Sequence, residues 1–355
     1  MVRKMRTLEW DNEQKILKTI DQRRLPASLE FILLKDDHQI AEAIRNMTLR
    51  GAPIIGISAA FGLALAAIKS SSQDLAILRR TIYNAADELG QTRPTAINLV
   101  WALKRMLAIV DSTTITSADE LRHDLELEAI NMAEEDVQIN KIISRNGAEL
   151  IADGDTIIHH CNTGALAMVD WGTALGVIRT AHAQGKHLHI LVDETRPRLQ
   201  GSRLTAWELQ QYGIPFDIIC DNAAGFFLEK GQVQKVLFGA DRVVQNGDVA
   251  NKIGSYMLAL AANASHVPVY CVFPLSSVDL SLDTGDQIPI EMRPQDEVLD
   301  IQLHKEQVVP IGSSARNPAF DITPYQLISG YVTEVGVITH PFKENMIKAT
   351  QQNRS

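Results

Sequence analysis

Cysteine is scarce in this chain. Cys161, Cys220 and Cys271 are the only three in 355 residues, and no two form a CxxC pair. So sparse and odd a set builds no disulfide framework and suits a reducing, cytoplasmic compartment. Positive charge is also short: 34 Lys and Arg against 43 Asp and Glu leave a formal net charge of -9. That excludes a general nucleic-acid binder, though not a local basic pocket for an anionic metabolite. The basic N-terminal segment MVRKMRTLEWDNEQ has no apolar core behind it, so it is no secretory signal. There is no GxGxxG at the first strand–helix turn, no GxxxxGK followed by Ser or Thr, and no fixed-period repeat. Dinucleotide and nucleoside-triphosphate chemistry are therefore weak readings. One uncharged run, Gly51 to Ile68, reaches the minimum length of a membrane span. Gly51, Pro53 and Gly56 disfavour helix at its start, and the Ala-rich remainder is shorter than a bilayer needs. A buried helix of closely packed small residues is expected, and no membrane partner.

What is present is ordinary for a soluble globular protein: 45% hydrophobic and 22% charged residues, in a chain long enough for two domains. Helical spacing runs through Asp37–Asn46, Gly51–Lys69, Ser72–Leu89, the stretch from Thr95, and the long charged region Ser117–Leu150. After Asp153-Gly154 short apolar runs alternate with helical patterns. DTIIHHC precedes a helix over Ala165–Gln184, HLHILVDE one over Leu204–Tyr212, and FDIIC one over Ala223–Lys230; KVLFGAD, a helix over Ile253–Ala264 and VPVYCVF follow. This alternation predicts a parallel sheet with crossover helices, whose ligands bind beyond the carboxyl ends of the strands. Ser276–Asn317 is loop-rich and acidic, and NPAFDITPYQLISGYVTEVGVI reads as a returning helix and strand.

The candidate functional residues fall at those strand ends. Cys161, in HHCNTGALA, is expected where a strand gives way to a helix, facing amide donors and a positive helix end that favour thiolate. Asp241, in GADRVVQNGDVANKIGS, is expected at a matching end, where a carboxylate could carry the complementary proton. The residues alone leave other readings open. Cys161 could be structural, or a hydrolase nucleophile with a distant histidine; Asp241 could be a helix cap or a partner of Arg242. His159 and His160 point to opposite strand faces and make poor joint metal ligands. Cys220 and Cys271 each end an apolar run and read as buried strand residues. Asn162-Thr163-Gly164 offers capping groups and amides to an anion, and Asn251-Lys252, read at a helix N-terminus, offers a carboxamide, a cation and free amides. The loop carrying Arg196, Arg198, Gln200 and Arg203 reads equally as a solvated ion-paired loop or as a sugar- or phosphate-facing one. Arg50-Gly51-Ala52-Pro53 and Thr92-Arg93-Pro94-Thr95 each set an arginine beside a rigid turn, and the two guanidinium groups could clamp one phosphate across a domain cleft.

Taken together, RGAPIIGISAAFGLA, TRPTAINLVWAL, HCNTGALA, DETRPRLQGSRLTAWEL, CDNAAG and GADRVVQNGDVANKIGSY resemble the 5-methylthioribose-1-phosphate isomerases of methionine salvage, from about Asp37 to the final strand. The resemblance implies a mainly helical N-terminal domain with a small sheet (1–116), a long linking helix (117–152) and a Rossmann-like parallel-sheet domain (153–355). It implies a homodimer acting on a sugar phosphate without metal or organic cofactor. Cys161 and Asp241 match the family's catalytic pair, and Arg50, Gly51, Ala52, Arg93, Gln200, Asn251 and Lys252 lie in motifs that line its substrate site. Ribose-1,5-bisphosphate isomerases and non-catalytic regulatory subunits of a translation-initiation exchange factor share the superfamily, so both stand as alternatives.

Overall fold

A computed structural model describes residues 6–93 and 96–352, so Pro94 and Thr95 of the second arginine turn lie outside the described residues. The structure is mixed α/β and divides into two compact units. One runs to Ser144 and includes Thr163–Gly176; the other comprises Arg145–Asn162 and the chain from Val177.

The first unit opens with an antiparallel sheet of β1 (Leu8–Asp11), β2 (Ile16–Ile20) and β3 (Phe31–Leu34). Helices α1 (Asp37–Arg45), α2 (Ala52–Lys69), α3 (Leu75–Gly90), α4 (Ile97–Val110) and α5 (Ala118–Ala148) follow. Local chemistry starts several of them. Asp36 caps α1 by accepting from the Gln39 amide at 2.8 Å, and Asp74 caps α3 through the amides of Ala76 and Ile77. In α2, Pro53 falls in the first turn, where a residue has no intrahelical hydrogen bond to lose, so the helix runs unbroken for 18 residues. Its mean hydropathy is 1.8, long and apolar enough to cross a membrane, but 78% of it is buried inside the protein. A β-carbon at Gly56 would stand 2.5 Å from the Asn98 carbonyl oxygen, so glycine is what lets α4 pack closely against α2.

The second unit is built on seven strands: β4 (Thr156–His159), β5 (His189–Asp193), β6 (Phe216–Ile219), β7 (Lys235–Phe238), β10 (Val269–Val272), β15 (Gly330–Thr333) and β16 (Gly336–Ile338). Their order is β16-β15-β10-β7-β4-β5-β6, parallel throughout except for the β15–β16 pair. The crossover helices are α6 (Ala174–Ala183), α7 (Ala206–Tyr212), α8 (Ala224–Glu229) and α9 (Ser255–Ala264). Between β7 and α9 lie β8 (Arg242–Val244) and β9 (Val249–Lys252). They form a second sheet with β11 (Val278–Asp279) and β14 (Phe320–Thr323). A short helix α10 (Asp296–Leu299), a hairpin of β12 (Gln302–Leu303) and β13 (Glu306–Gln307), and the final helix α11 (Phe342–Gln352) complete the chain.

Three expectations need correction. The helix over Ala165–Gln184 is split: a 3-10 turn at Ala165–Ala167 is followed by irregular chain, with Trp171 at φ +74°, before α6 begins. The returning helix after Asn317 is only a 3-10 turn, Tyr325–Leu327, between strands, since Pro324 and the alternating apolar residues favour extended chain. Cys220 is exposed rather than buried, because β6 is the sheet's edge strand; Cys271, on the inner strand β10, is buried.

Candidate active site

The chain enters the seven-stranded sheet at β4, adds β5 and β6 on one side, then returns to lay β7, β10 and β15 on the other. Strand order therefore reverses between β4 and β7, and in open α/β sheets the crevice outside the carboxyl ends at such a point is where ligands bind. These two strands pair in parallel, His159 opposite Leu237. Cys161 follows β4 by two residues and Asp241 follows β7 by three, so both leave the same sheet edge from adjacent strands.

Neither residue sits at the strand-to-helix junction that the sequence pattern predicts for it. Cys161 occupies a bend and adopts φ +66°, a left-handed conformation that strains a residue carrying a β-carbon. It is buried, its amide donating to Thr195 Oγ1 at 3.0 Å and its carbonyl accepting from Thr205 Oγ1 at 2.7 Å. Asp241 lies between strands of two different sheets, and its amide donates to the Ala250 carbonyl at 2.9 Å. Asn162 and Thr163 use their side chains within the fold. Asn162 Nδ2 donates to buried Glu208 at 2.8 Å, and Thr163 Oγ1 accepts from the Leu175 amide at 3.0 Å, capping α6.

Beside Cys161 lies a pair that the sequence did not single out. His160 and Asp193, fully and almost fully buried, meet Nδ1 to Oδ2 at 2.8 Å, while His160 Nε2 reaches the Ile253 carbonyl at 3.0 Å. A carbonyl only accepts, so Nε2 carries a hydrogen, and a second proton is shared between Nδ1 and the carboxyl. Burial opposes a charge on His160, but Asp193 outweighs it and raises the histidine's pKa. Burial likewise pushes Asp193 up to about 6 against the pull of His160. His159, on the other strand face, is driven down to about 3 by burial and by His160, and stays neutral. His160, Asp193 and Asp221 could group three ligand atoms around an ion. His160 Nδ1 and Asp193 Oδ2 are already paired with each other, and the Asp221 carboxylate accepts from the Thr195 and Arg196 amides at 2.7 Å each; buried Asp193 Oδ1 has no hydrogen-bond partner among the described residues. The cue in sequence was a histidine and an aspartate ending strands that become neighbours.

Gln200 is buried just before the π-helical turn Gly201–Thr205, and its Oε1 has no hydrogen-bond partner among the described residues. The arginines of this loop take the ion-paired reading in part: Arg198 meets Glu297 at 2.9 Å, and Arg196 donates to the Val298 carbonyl at 3.0 Å. Asn251 and Lys252 end β9 rather than opening a helix, since α9 begins at Ser255. The amides at that helix start are not free. Gly254 and Tyr256 donate to the two oxygens of Asp321 at 2.7 and 3.2 Å, so a carboxylate already complements the dipole there. Asn251 Nδ2 donates to Ser255 Oγ at 2.7 Å; Lys252 Nζ donates to the Ala319 carbonyl at 2.8 Å and lies 4.4 Å from the Phe320 ring centre.

In the first unit, Arg50 immediately precedes Gly51 and Ala52, the residues that open α2. Its Nε donates to Gln22 Oε1 at 3.0 Å, and Gln22 in turn donates to the Leu166 carbonyl at 2.7 Å. Arg93 reaches Met47 Sδ at 3.6 Å, three residues before Arg50, so the two arginines converge on the segment that leads into α2.

Comparison with known proteins agrees along almost the whole chain. A model of the initiation factor 2 subunit family matches residues 48–340. The curated protein methylthioribose-1-phosphate isomerase 2 of Pseudothermotoga lettingae is 49% identical over 343 residues, 97% of each chain. The solved structure of 5-methylthioribose 1-phosphate isomerase from Pyrococcus horikoshii OT3 superposes with a TM-score of 0.91 at 41% identity, covering 99% of this chain and 97% of that one. The structure of translation initiation factor eIF-2B, subunit delta, from A. fulgidus superposes with a TM-score of 0.84 at 40% identity, covering 98% and 99%.

Proposed function

We infer the function from one premise: the chain belongs to the initiation factor 2 subunit family and, within it, to the methylthioribose-1-phosphate isomerases. It converts 5-methylthioribose 1-phosphate into 5-methylthioribulose 1-phosphate, an aldose–ketose isomerisation in methionine salvage. The observation that carries this reading is a thiol and a carboxylate, Cys161 and Asp241, leaving adjacent strands at the switch point of the sheet. A non-catalytic binding subunit, the reading suggested by the translation-factor structure at 40% identity, has no use for that pair.

Carbon 1 of the substrate carries the phosphate, so the ring cannot open spontaneously to an aldehyde. In this reading Asp241 protonates the ring oxygen as its bond to carbon 1 breaks, and Cys161 takes a proton from carbon 2 and delivers one to carbon 1 through an enediol. Two protons enter, at the ring oxygen and carbon 1, and two leave, from carbon 2 and its hydroxyl. Arg50 and Arg93 hold the phosphate, with the main chain at Gly51 and Ala52 assisting. Gln200, Asn251 and Lys252 complete the substrate contacts. No metal or organic cofactor takes part. The same reading includes a helical domain over 1–116, a linking helix over 117–152, a Rossmann-like catalytic domain over 153–355, and a cytoplasmic homodimer.

Phosphorus NMR of the protein with 5-methylthioribose 1-phosphate, beside ribose 1,5-bisphosphate, tests this. Conversion of the methylthio sugar alone to its ketose phosphate is expected. Conversion of the bisphosphate alone would keep the chemistry and change the substrate, and silence on both from folded protein would favour the binding subunit. In deuterated water, solvent label at carbon 1 is expected, since a thiol exchanges its proton with water; complete retention of the carbon 2 hydrogen would mean direct hydride migration or a thiol shielded from exchange.

A further inference from the structure

We propose that Thr195 and Thr205 are positioning residues that clamp the Cys161 peptide in its left-handed conformation and so set where its thiol meets the substrate. The inference rests on the catalytic role of Cys161. Both threonines are fully buried, and each holds one end of the same residue: Thr195 Oγ1 accepts the Cys161 N–H at 3.0 Å, and Thr205 Oγ1 donates to the Cys161 carbonyl at 2.7 Å.

The direction of every hydrogen in the clamp follows from its partners. The Thr195 hydroxyl donates its own hydrogen to the Asp193 carbonyl at 3.0 Å, which leaves its lone pair for Cys161. Thr205 Oγ1 accepts from Asn162 Nδ2 at 3.1 Å, which leaves its hydrogen for the Cys161 carbonyl. Asn162 gives its other amide hydrogen to Glu208 Oε1 at 2.8 Å, and the Tyr212 hydroxyl donates to Glu208 Oε2 at 3.1 Å. Glu208 is fully buried and anchors this run on α7. A one-way run of this kind has a single satisfied arrangement, which is what holding a strained residue requires. The backbone is shaped to deliver it. A β-carbon at Gly201 would fall 1.7 Å from the Asp193 carbonyl oxygen, so only glycine lets the π-helical turn Gly201–Thr205 settle on the end of β5 and bring Thr205 to Cys161. Turns of this wider kind inside helices recur at functional sites.

The test replaces each threonine with valine, which keeps the shape and removes the hydroxyl, and with serine, which keeps the hydroxyl. Thr195→Val and Thr205→Val are expected to lower kcat by about 10- to 100-fold with KM within about threefold of wild type, as misplacement of a reacting group does. They are also expected to change the rate at which iodoacetamide labels Cys161, read by peptide mass spectrometry to separate it from exposed Cys220. Thr195→Ser and Thr205→Ser are expected to recover most of kcat. Valine variants that are less heat-stable but turn over normally would reduce the threonines to structural residues and overturn the proposal. So would a folded serine variant slowed by about 10-fold or more from wild type, a result that remains decisive if the valine variants fail to fold. Cys161→Ser separates the two levels: normal turnover there would sink the role of the thiol, whereas an inactive Cys161→Ser beside normal valine variants would sink the clamp alone.

Discussion

The turns after β4 and β7 leave neighbouring strands at one edge of one sheet, yet they are held in different ways. The Cys161 turn is fastened by side chains from far along the sequence: Thr195 and Thr205 on its peptide, and the His160–Asp193 pair beside it, which also ties in the Ile253 carbonyl. The Asp241 turn is strung between β7 and β8 with its amide on the Ala250 carbonyl. Side chains join it as well: the Cys271 thiol donates to the Gly239 carbonyl at 3.3 Å, and Arg242 pairs with Asp279 at 3.2 Å. A strained conformation needs groups that fit only one geometry, whereas a strand-to-strand crossing is specified by its ladders. The Cys161 turn should accordingly be far more sensitive to single side-chain changes around it.

The largest effects are expected at the two residues themselves. Cys161→Ser and Asp241→Asn should each reduce kcat by about 1000-fold or more, with circular dichroism unchanged, as loss of a proton-transfer group does. Near-normal turnover in either variant removes that residue from the mechanism. Next comes the buried pair. Asp193→Asn removes the shared proton and leaves an amide donating to a neutral His160 Nδ1, so the charge-assisted bond is lost and stability should fall by about 2 kcal/mol in urea unfolding. Both pKa values of the pair lie above their unfolded values, so the folded state holds its protons more tightly. Their contribution is complete in acid and fades as pH rises, from about 4 for the carboxyl and about 6.5 for the imidazole up through the folded-state values. The gap between wild type and Asp193→Asn should therefore be wider at pH 5 than at pH 9; a gap that widens with pH would contradict the assignment. The smallest effect is expected at Lys252, whose amine has a carbonyl and an aromatic ring to rest on. Lys252→Met should lose about 1 kcal/mol of stability and raise KM several-fold with little change in kcat. A collapse of kcat there would move the lysine from binding into the chemistry.

The strand ends were legible because a parallel sheet writes itself as short apolar runs, and ligands gather where those runs stop. Cys161 and Asp241 stand out on that basis, and the burial of α2 follows from its small residues. What surrounds them was not legible. β8 and β9 are too short to be told from loop, so Asn251 and Lys252 read as a helix start. The carboxylate that fills that start, Asp321, comes from 67 residues beyond Gly254. The two clamp threonines lie 34 and 44 residues from Cys161, and nothing local marks either as its neighbour. Contacts made by crossover connections are set by tertiary packing, which no local pattern records.

The most direct test of the central claim, that the two turns form one proton-handling centre, is the turnover of Cys161→Ser, Asp241→Asn and the double variant on 5-methylthioribose 1-phosphate. Residues that act as a unit are strongly non-additive, so the double variant should be no slower than the slower single one. Losses that multiply would mean that Cys161 and Asp241 act independently and would contradict the account.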